Sequence, residues 1–290
     1  MTRYPGDMTK FKLEGVKITH PGQIAWVQIP EISFLNWHPF TIASAPGDRN
    51  AVIAVRGLGG YTKRIQSLVS NAEKSQGDVN AEEMGTTIIS GTQARIRIDG
   101  PYGVGAIQWG LHPVTVLVAG GIGITPGISI ASHIFNRASL PAARNEVERR
   151  NGQWHIHLLW VVKDRKHISW FLDELRGMAE LAKDPMLSVT FDVTIHITGS
   201  TGPVLKDGSF ELRARPETET QHVYHGPGTV VQGRPDVVAW FANVKAKRQG
   251  LDTVVNACGP SSLIGAVRKA AAKASWKDGL FHVEEEVFEL

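Results

Sequence analysis

Val116-Leu-Val-Ala-Gly-Gly-Ile-Gly-Ile-Thr-Pro126 is a β-branched apolar run that stops in glycines and resumes at a proline. It reads as a buried strand turning sharply into a helix. Glycine permits the tight turn, and proline suits the first helical turn, where its missing N–H has no partner to lose. The free N–H groups and positive dipole end of such a helix make a phosphate site. The run departs from the dinucleotide fingerprint G-x-G-x-x-G, because Pro126 stands where the last glycine is expected. From Pro113 to Phe135 there is no Lys, Arg, Asp or Glu, a length at which hydropathy alone would suggest a membrane span. The interruptions at Gly120, Gly121, Gly123, Pro126 and Gly127 assign it instead to a buried strand, a turn and a helix start.

Downstream the same rhythm repeats. Strands and helices are expected over Val114–Ala119, Pro126–Asn136, Trp154–Val162, Ile168–Leu181, Leu187–Ile197, Pro235–Arg248, Leu251–Ala257 and Ser261–Ala272. Such alternation implies a parallel sheet covered on both faces, a Rossmann-like α/β domain. Arg213–Arg234 is polar and rich in Gly and Pro, and reads as an exposed excursion. Upstream, short apolar runs at Ile24–Pro30, His38–Ser44, Ala51–Arg56 and Arg95–Asp99 are cut by turn signals, the pattern of a small β-barrel. One helix, Thr62 to about Ser70, interrupts it after Gly59 and Gly60. With 290 residues the chain is long for one core. We divide it into a barrel over 1–111 and an α/β domain over 112–290.

A net charge of +3 without a basic stripe argues against nucleic acid as a partner. The lone Cys258 leaves no intramolecular disulfide partner, which fits a reducing compartment. Met1 is followed by Thr2, Arg3, Tyr4 and Pro5, so no secretory leader is expected.

Other motifs carry chemistry. Val161-Val-Lys-Asp-Arg-Lys166 ends the second strand, where a dinucleotide fold selects its ribose, and Lys163 and Arg165 favour a 2′-phosphate. Asn256-Ala-Cys-Gly-Pro260 is a second strand-to-glycine turn, with Cys258 either beside a ligand ring or simply buried. In the first half, His38-Pro-Phe-Thr-Ile-Ala-Ser44 places Thr41 and Ser44 on opposite strand faces unless a bulge intervenes. Ile53-Ala-Val-Arg-Gly-Leu-Gly-Gly-Tyr-Thr62 brings Arg56 and a glycine loop to a helix amino terminus, a pyrophosphate cradle. Asp99-Gly-Pro-Tyr-Gly103 precedes the second half, and together these motifs suggest a cofactor between two domains. His155 and His157 alternate on one strand, but no third ligand accompanies them, so packing is expected and no metal.

The order of these motifs resembles the dehydrogenase region of the ferric reductase and NADPH oxidase superfamily, and His38–Ser44 is similar to the flavin signature of fungal ferric reductases in particular. The resemblance runs from Pro21-Gly-Gln23 to the end of the chain and includes Leu158–Arg165, Trp170, Phe171 and Gly233-Arg-Pro235. It implies a ferredoxin–NADP reductase-like fold: a FAD-binding barrel followed by an NADPH-binding domain. Carried over, it implies that His38, Pro39, Phe40 and Thr41, with Ser44, hold the flavin, and that Arg56, Gly60, Tyr61 and Thr62 meet its phosphates. Gly121, Ile122, Gly123, Thr125 and Pro126 would line the NADPH pyrophosphate and nicotinamide. Lys163, Arg165 and Arg234 would take the 2′-phosphate, and Cys258, Gly259 and Pro260 the hydride-transfer site. Phe288, near the end of the chain, would shield the flavin. Hydride transfer depends on stacking and orientation, since the cofactors supply the chemistry.

The implied activity is electron transfer from NADPH through FAD to a membrane haem, and on to ferric iron or copper. The alternatives are the dehydrogenase part of a superoxide-producing NADPH oxidase, and a non-catalytic docking domain of the same fold. The implied partner is a haem-containing transmembrane domain. The chain, itself soluble, would then be part of a larger membrane protein on its cytosolic side.

Overall fold

A computed structural model describes residues 1–76, 80–83, 86–88, 95–103, 105–141, 153–199, 211–213, 221–223, 228–248, 250–275 and 280–286. The first part holds β1 (Thr2–Tyr4), β2 (Met8–Leu13), β3 (Ile24–Gln28), β4 (His38–Thr41), β5 (Ala51–Arg56), α1 (Gly60–Gln76), β6 (Asn80–Glu83), β7 (Thr86–Ile88) and β8 (Arg97–Tyr102). Its strands form two antiparallel sheets, β5-β2-β1-β7-β6 and β4-β3-β8. Alternation points Ala25 and Val27 of β3 inward, and they pack with Phe11, Ile29, Ile42, Ile53, Val55 and Ile65 in one apolar core. Trp26, between them, faces out.

The second part holds β9 (Val114–Gly120), α2 (Ile124–Ala138), β10 (Trp154–Val162), α3 (Leu172–Leu181), β11 (Val189–Ile197), β12 (Glu211–Arg213), β13 (Gln221–Val223), β14 (Thr229–Gln232), α4 (Val237–Lys247), β15 (Thr253–Cys258), α5 (Ser261–Ala274) and β16 (Phe281–Glu286). Six strands make a wholly parallel sheet in the order β14-β11-β10-β9-β15-β16. Val116 and Val118 pack on one face with Phe241 of α4 and Val267 of α5, and Leu117 on the other with Ile128 and Phe135 of α2. Burial on both faces explains why β9 is continuously apolar. The charge-free stretch is therefore core, and no helix among the described residues is long and apolar enough to cross a membrane.

Three expectations are corrected. The helix expected over Ile168–Leu181 is split into a 3-10 turn, Arg165–Trp170, and α3, with Phe171 out of helical geometry at φ −133°. The cause is tertiary: Trp170 Nε1 donates to the Pro5 carbonyl in the β1–β2 turn, 2.6 Å away, and its ring stacks on His167. The strand expected from Leu187 begins at Val189, after a 3-10 turn capped by Asp184 and a left-handed Ser188 at φ +50°. The excursion over Arg213–Arg234 ends inside the sheet, because β14 pairs with β11 and buries Val230; residues 214–220 and 224–227 lie outside the described residues. Strands β1, β2, β6, β7, β12, β13 and β16 add to those the alternation picked out.

The two halves meet through α2 and the segment leading into α3. Ser129 of α2 donates to the Ser44 carbonyl (2.6 Å) and accepts from the Gly22 amide (3.0 Å). Asn136 reaches Asp48 (3.0 Å), and Lys10 of β2 pairs with Glu174 in the first turn of α3.

Candidate functional site

Strand order reverses between β9 and β15, and ligands of open parallel sheets bind at the carboxyl ends of the strands at such a point. Cys258 is in register with Ala119, so the two glycine turns lie side by side. They interlock tightly. A Cβ on Gly120 would come within 2.5 Å of Pro260 Cδ, and one on Gly123 within 2.6 Å of the Cys258 carbonyl and 3.0 Å of its Sγ. Gly121 takes φ +57°, and Trp160 Nε1 holds its carbonyl at 2.8 Å. Thr125 Oγ1 donates to the Ile122 carbonyl (3.2 Å), and no acid occupies the first turn of α2, whose Pro126 is buried. The turn thus carries no carboxylate of its own, which suits a helix amino terminus that meets a pyrophosphate.

On the barrel side, Thr62 Oγ1 accepts from the amides of Leu58 (3.0 Å) and Gly59 (2.9 Å), folding the glycine loop with Gly60 over the start of α1. Tyr61 accepts from the Ile29 amide (3.0 Å) and stacks on His38, ring centroids 3.9 Å apart. Burial lowers the His38 pKa, so the ring is neutral at physiological pH. His38 Nε2 and Thr41 Oγ1 are buried polar atoms with no partner in the protein. A buried polar group without a partner is costly, so each of these atoms can take a partner from a bound group such as a flavin. Pro39 is exposed across from Trp26, while Phe40 turns into the barrel core. Ser44 serves the fold: its Oγ accepts from the Val52 amide (2.8 Å).

Arg56, at the end of β5, reaches across the domain boundary. Its guanidinium lies 3.7 Å from where a Gly121 Cβ would stand and 5.4 Å from the Trp170 ring centroid. The resemblance puts Arg56 beside the flavin phosphates; in the structure it stands beside the glycine turn that ends β9. Gly22 completes the join, lying near both Pro126 and Glu286, one residue before Gln23, whose carbonyl accepts from the Ile42 amide next to Thr41.

Lys163 and Arg234 sit exposed at the ends of β10 and β14, with Arg165 partly buried nearby. Asp164 is turned onto its own turn, accepting from the Lys166 amide (3.0 Å). Cys258 is buried, which pushes its thiol pKa up and keeps it protonated. Gly259 at φ +154° approaches the Gly120 backbone, and Pro260 opens α5. His155 binds Thr190 (2.8 Å), and His157 lies 3.1 Å from Asp192 and accepts from Arg248 (3.2 Å), so the pair braces β10 against β11 and the end of α4. Phe288 lies outside the described residues.

Residues 112–272 match the ferric reductase NAD binding domain, more than half of the chain, and residues 2–106 match the FAD-binding domain. The chain belongs to the ferric reductase family. This ferric reductase-family chain is 27% identical over 267 residues to a superoxide-generating NADPH oxidase heavy chain of Dictyostelium discoideum, covering 91% of this chain and 36% of that protein. It is 28% identical to a respiratory burst oxidase homolog of Arabidopsis thaliana, covering 94% and 34%. It is 26% identical to human NADPH oxidase 3, covering 89% and 42%. The chain thus spans about a third of the length of the first two. Its fold is that of a ferredoxin–NADP+ reductase from Neisseria gonorrhoeae solved with bound FAD and NADP, at TM-score 0.52, 11% identity and coverage of 96% and 98%. A cytochrome P450 reductase from Amycolatopsis gives TM-score 0.53 at 17% identity, with coverage of 98% and 67%. The ferredoxin–NADP reductase-like architecture and the FAD- and nicotinamide-binding halves of an oxidoreductase module are thereby established.

One residue of this site escaped sequence reasoning. Glu286, in register with Cys258, accepts from Asn256 Nδ2 (3.2 Å). Burial lifts its carboxyl pKa to about 7, aided by Glu284 and opposed by that hydrogen bond. The available signal was Glu284-Glu285-Glu286 at a strand end: alternation sends Glu285 to Arg268 (2.9 Å) and leaves the flanking pair on the other side. The folded chain holds the Glu286 proton up to about pH 7, whereas the unfolded chain releases it near 4.5. The stability it contributes is therefore present below pH 4.5 and lost as pH rises to about 7, up to about 3 kcal/mol. Glu286→Gln should flatten that slope in unfolding experiments across this window; an unchanged slope would reject the assignment.

Proposed function

We propose that the chain is the NADPH-oxidising flavin module of a membrane reductase, passing electrons to a haem-bearing domain and on to ferric iron or copper. The observation that carries this reading is the meeting of two interlocked glycine turns with a barrel strand whose His38 Nε2 and Thr41 Oγ1 lack partners. When bound, the flavin takes up an electron pair as hydride and releases electrons singly. The chain's own residues position and insulate. Gly121 and Gly123 let the α2 turn approach a pyrophosphate, and Arg56 supplies a cation between the two phosphate sites. Cys258, neutral and small, forms the wall behind Gly123, and Glu286 holds a proton on its carboxyl near neutral pH. Lys163 and Arg234, with Arg165, take the 2′-phosphate, which sets the preference for NADPH.

We place the domain division at residues 111–112 and the chain on the cytosolic side of the membrane. The face assigned to the haem domain is the apolar surface beside β4, where Phe34 is 69% and Leu35 87% exposed, with Trp26, Trp37 and Tyr102 alongside. A haem domain is the partner because the relatives are about three times as long as the matched part and the surface adjoins the strand assigned to the flavin. A second reading, delivery of the electrons to oxygen to make superoxide, is favoured by the names of the relatives.

The purified chain with FAD is expected to show a flavin spectrum and to oxidise NADPH with ferricyanide as acceptor. No FAD-dependent turnover in a folded sample would reject the enzyme reading. In the full-length protein, Phe34→Ser with Leu35→Ser should slow haem reduction and spare ferricyanide reduction. Measuring ferrous iron against superoxide there decides between the two acceptors.

A further inference from the structure

Three strand ends at one edge of the sheet are tied together by an unusual set of bonds. The Gly199 amide donates to the Lys163 carbonyl (2.9 Å), linking β11 to β10. Gln232 Nε2 donates to the Gly199 carbonyl (2.8 Å), linking β14 to β11. The Gly233 amide donates to the Ile197 carbonyl (2.8 Å), and the Gly233 carbonyl faces His196 Nδ1 at 3.0 Å. A carbonyl only accepts, so Nδ1 carries the proton. Gly233 stands at φ +104°, turning the chain immediately before Arg234. A side chain on Gly199 would fall on the Lys163 carbonyl.

We propose that His196 and Gly199 are specificity-determining positioning residues, which hold Arg234 and Lys163 at the spacing that reads a 2′-phosphate. The inference rests on the reading that these two cations take that phosphate. Lys163 follows Val162, which is in register with Ile197, and Ile197 is in register with Gln232, one residue before Gly233. Lys163 and Gly233 are thus two strand spacings apart, about 10 Å, a gap that a lysine and an arginine close from opposite sides around one phosphate. The brace is needed because Arg234 lies on a turn, where a glycine at positive φ leaves the backbone otherwise free to swing. His196 itself is buried on the α4 side, and burial lowers its pKa, so it is neutral at physiological pH and contributes geometry rather than charge.

The test is calorimetric binding of 2′-phospho-AMP and of AMP to the purified chain. His196→Leu keeps apolar bulk and removes the donor, and should weaken 2′-phospho-AMP by about tenfold with AMP within twofold. His196→Asn, whose amide nitrogen can take the place of Nδ1, should restore the difference. Gly199→Ala should reduce the discrimination at least as much as His196→Leu. Equal weakening of both nucleotides by His196→Leu, no weakening of either, or failure of His196→Asn to restore the difference would overturn the brace. Lys163→Ala with Arg234→Ala tests the underlying reading separately: if that variant keeps its preference for 2′-phospho-AMP, the cations do not read the phosphate and the proposal falls with them.

Discussion

Lys163→Ala combined with Arg234→Ala is expected to raise the KM for NADPH about a hundredfold and to leave that for NADH nearly unchanged. A dianionic 2′-phosphate gains charge-assisted bonds of roughly 1.5 to 3 kcal/mol from each cation. Two such bonds span about a hundredfold to ten-thousandfold. Both side chains are exposed at their strand ends, so solvent and salt screen them and the low end applies. Raising ionic strength should shrink the difference further. The control is internal, because NADH has a hydroxyl where NADPH has the phosphate. Equal losses for the two cofactors would show that the pair holds the turns together rather than reading the phosphate.

Glu174→Ala is expected to destabilise the chain by about 3 kcal/mol in denaturant unfolding, without changing the flavin content of the folded fraction. Lys10 of β2 is buried at 6% exposure, its ammonium set between Glu174 and the rings of Tyr4 and Phe171, 4.9 and 4.3 Å from their centroids. Removing one partner of a buried pair leaves an uncompensated charge and costs about 3 to 5 kcal/mol. The Glu174 side chain is one-third exposed, which places the loss at the low end. Burial already lowers the Lys10 pKa, opposed chiefly by Glu174. Without that carboxylate it falls further, so the unfolded chain binds more protons than the folded one and the variant gains stability as pH rises toward the ordinary lysine range. Lys10→Met with Glu174→Leu should recover most of the loss, since an apolar pair of similar volume often replaces a buried ion pair without penalty. A double variant as unstable as Glu174→Ala alone would show that the bridge, and not the stranded lysine, carries the effect.

Most of the α/β half was legible because its signals are local. The period of β9, the glycines and proline that end it, and the alternation of strand and helix depend on residues within a few positions of one another. The strands Trp154–Val162 and Ala51–Arg56 coincide at both ends with their apolar runs for the same reason. The glycine turns were also legible, since glycine is demanded by the backbone wherever its neighbours stand. The family resemblance, carried by the order of these motifs, supplied the cofactors.

What the tertiary structure alone decided involves partners far apart in the chain. Glu286 acquires its raised pKa only because β16 lies beside β15 in one register, and a single strand cannot state its neighbour. Trp170 leaves the helical path because Pro5, 165 residues earlier, offers it a carbonyl. Lys10 is buried because Phe171 and Glu174 pack over it, and Arg56 meets Gly121 only where the barrel docks on the sheet. Thus the sequence by itself determined most elements of the α/β half and the glycine turns, whose causes lie in short-range sterics and hydrogen bonding. The docking of barrel on sheet decided which polar groups lost water and which met a partner, and the charge states and reach of the site follow from that burial.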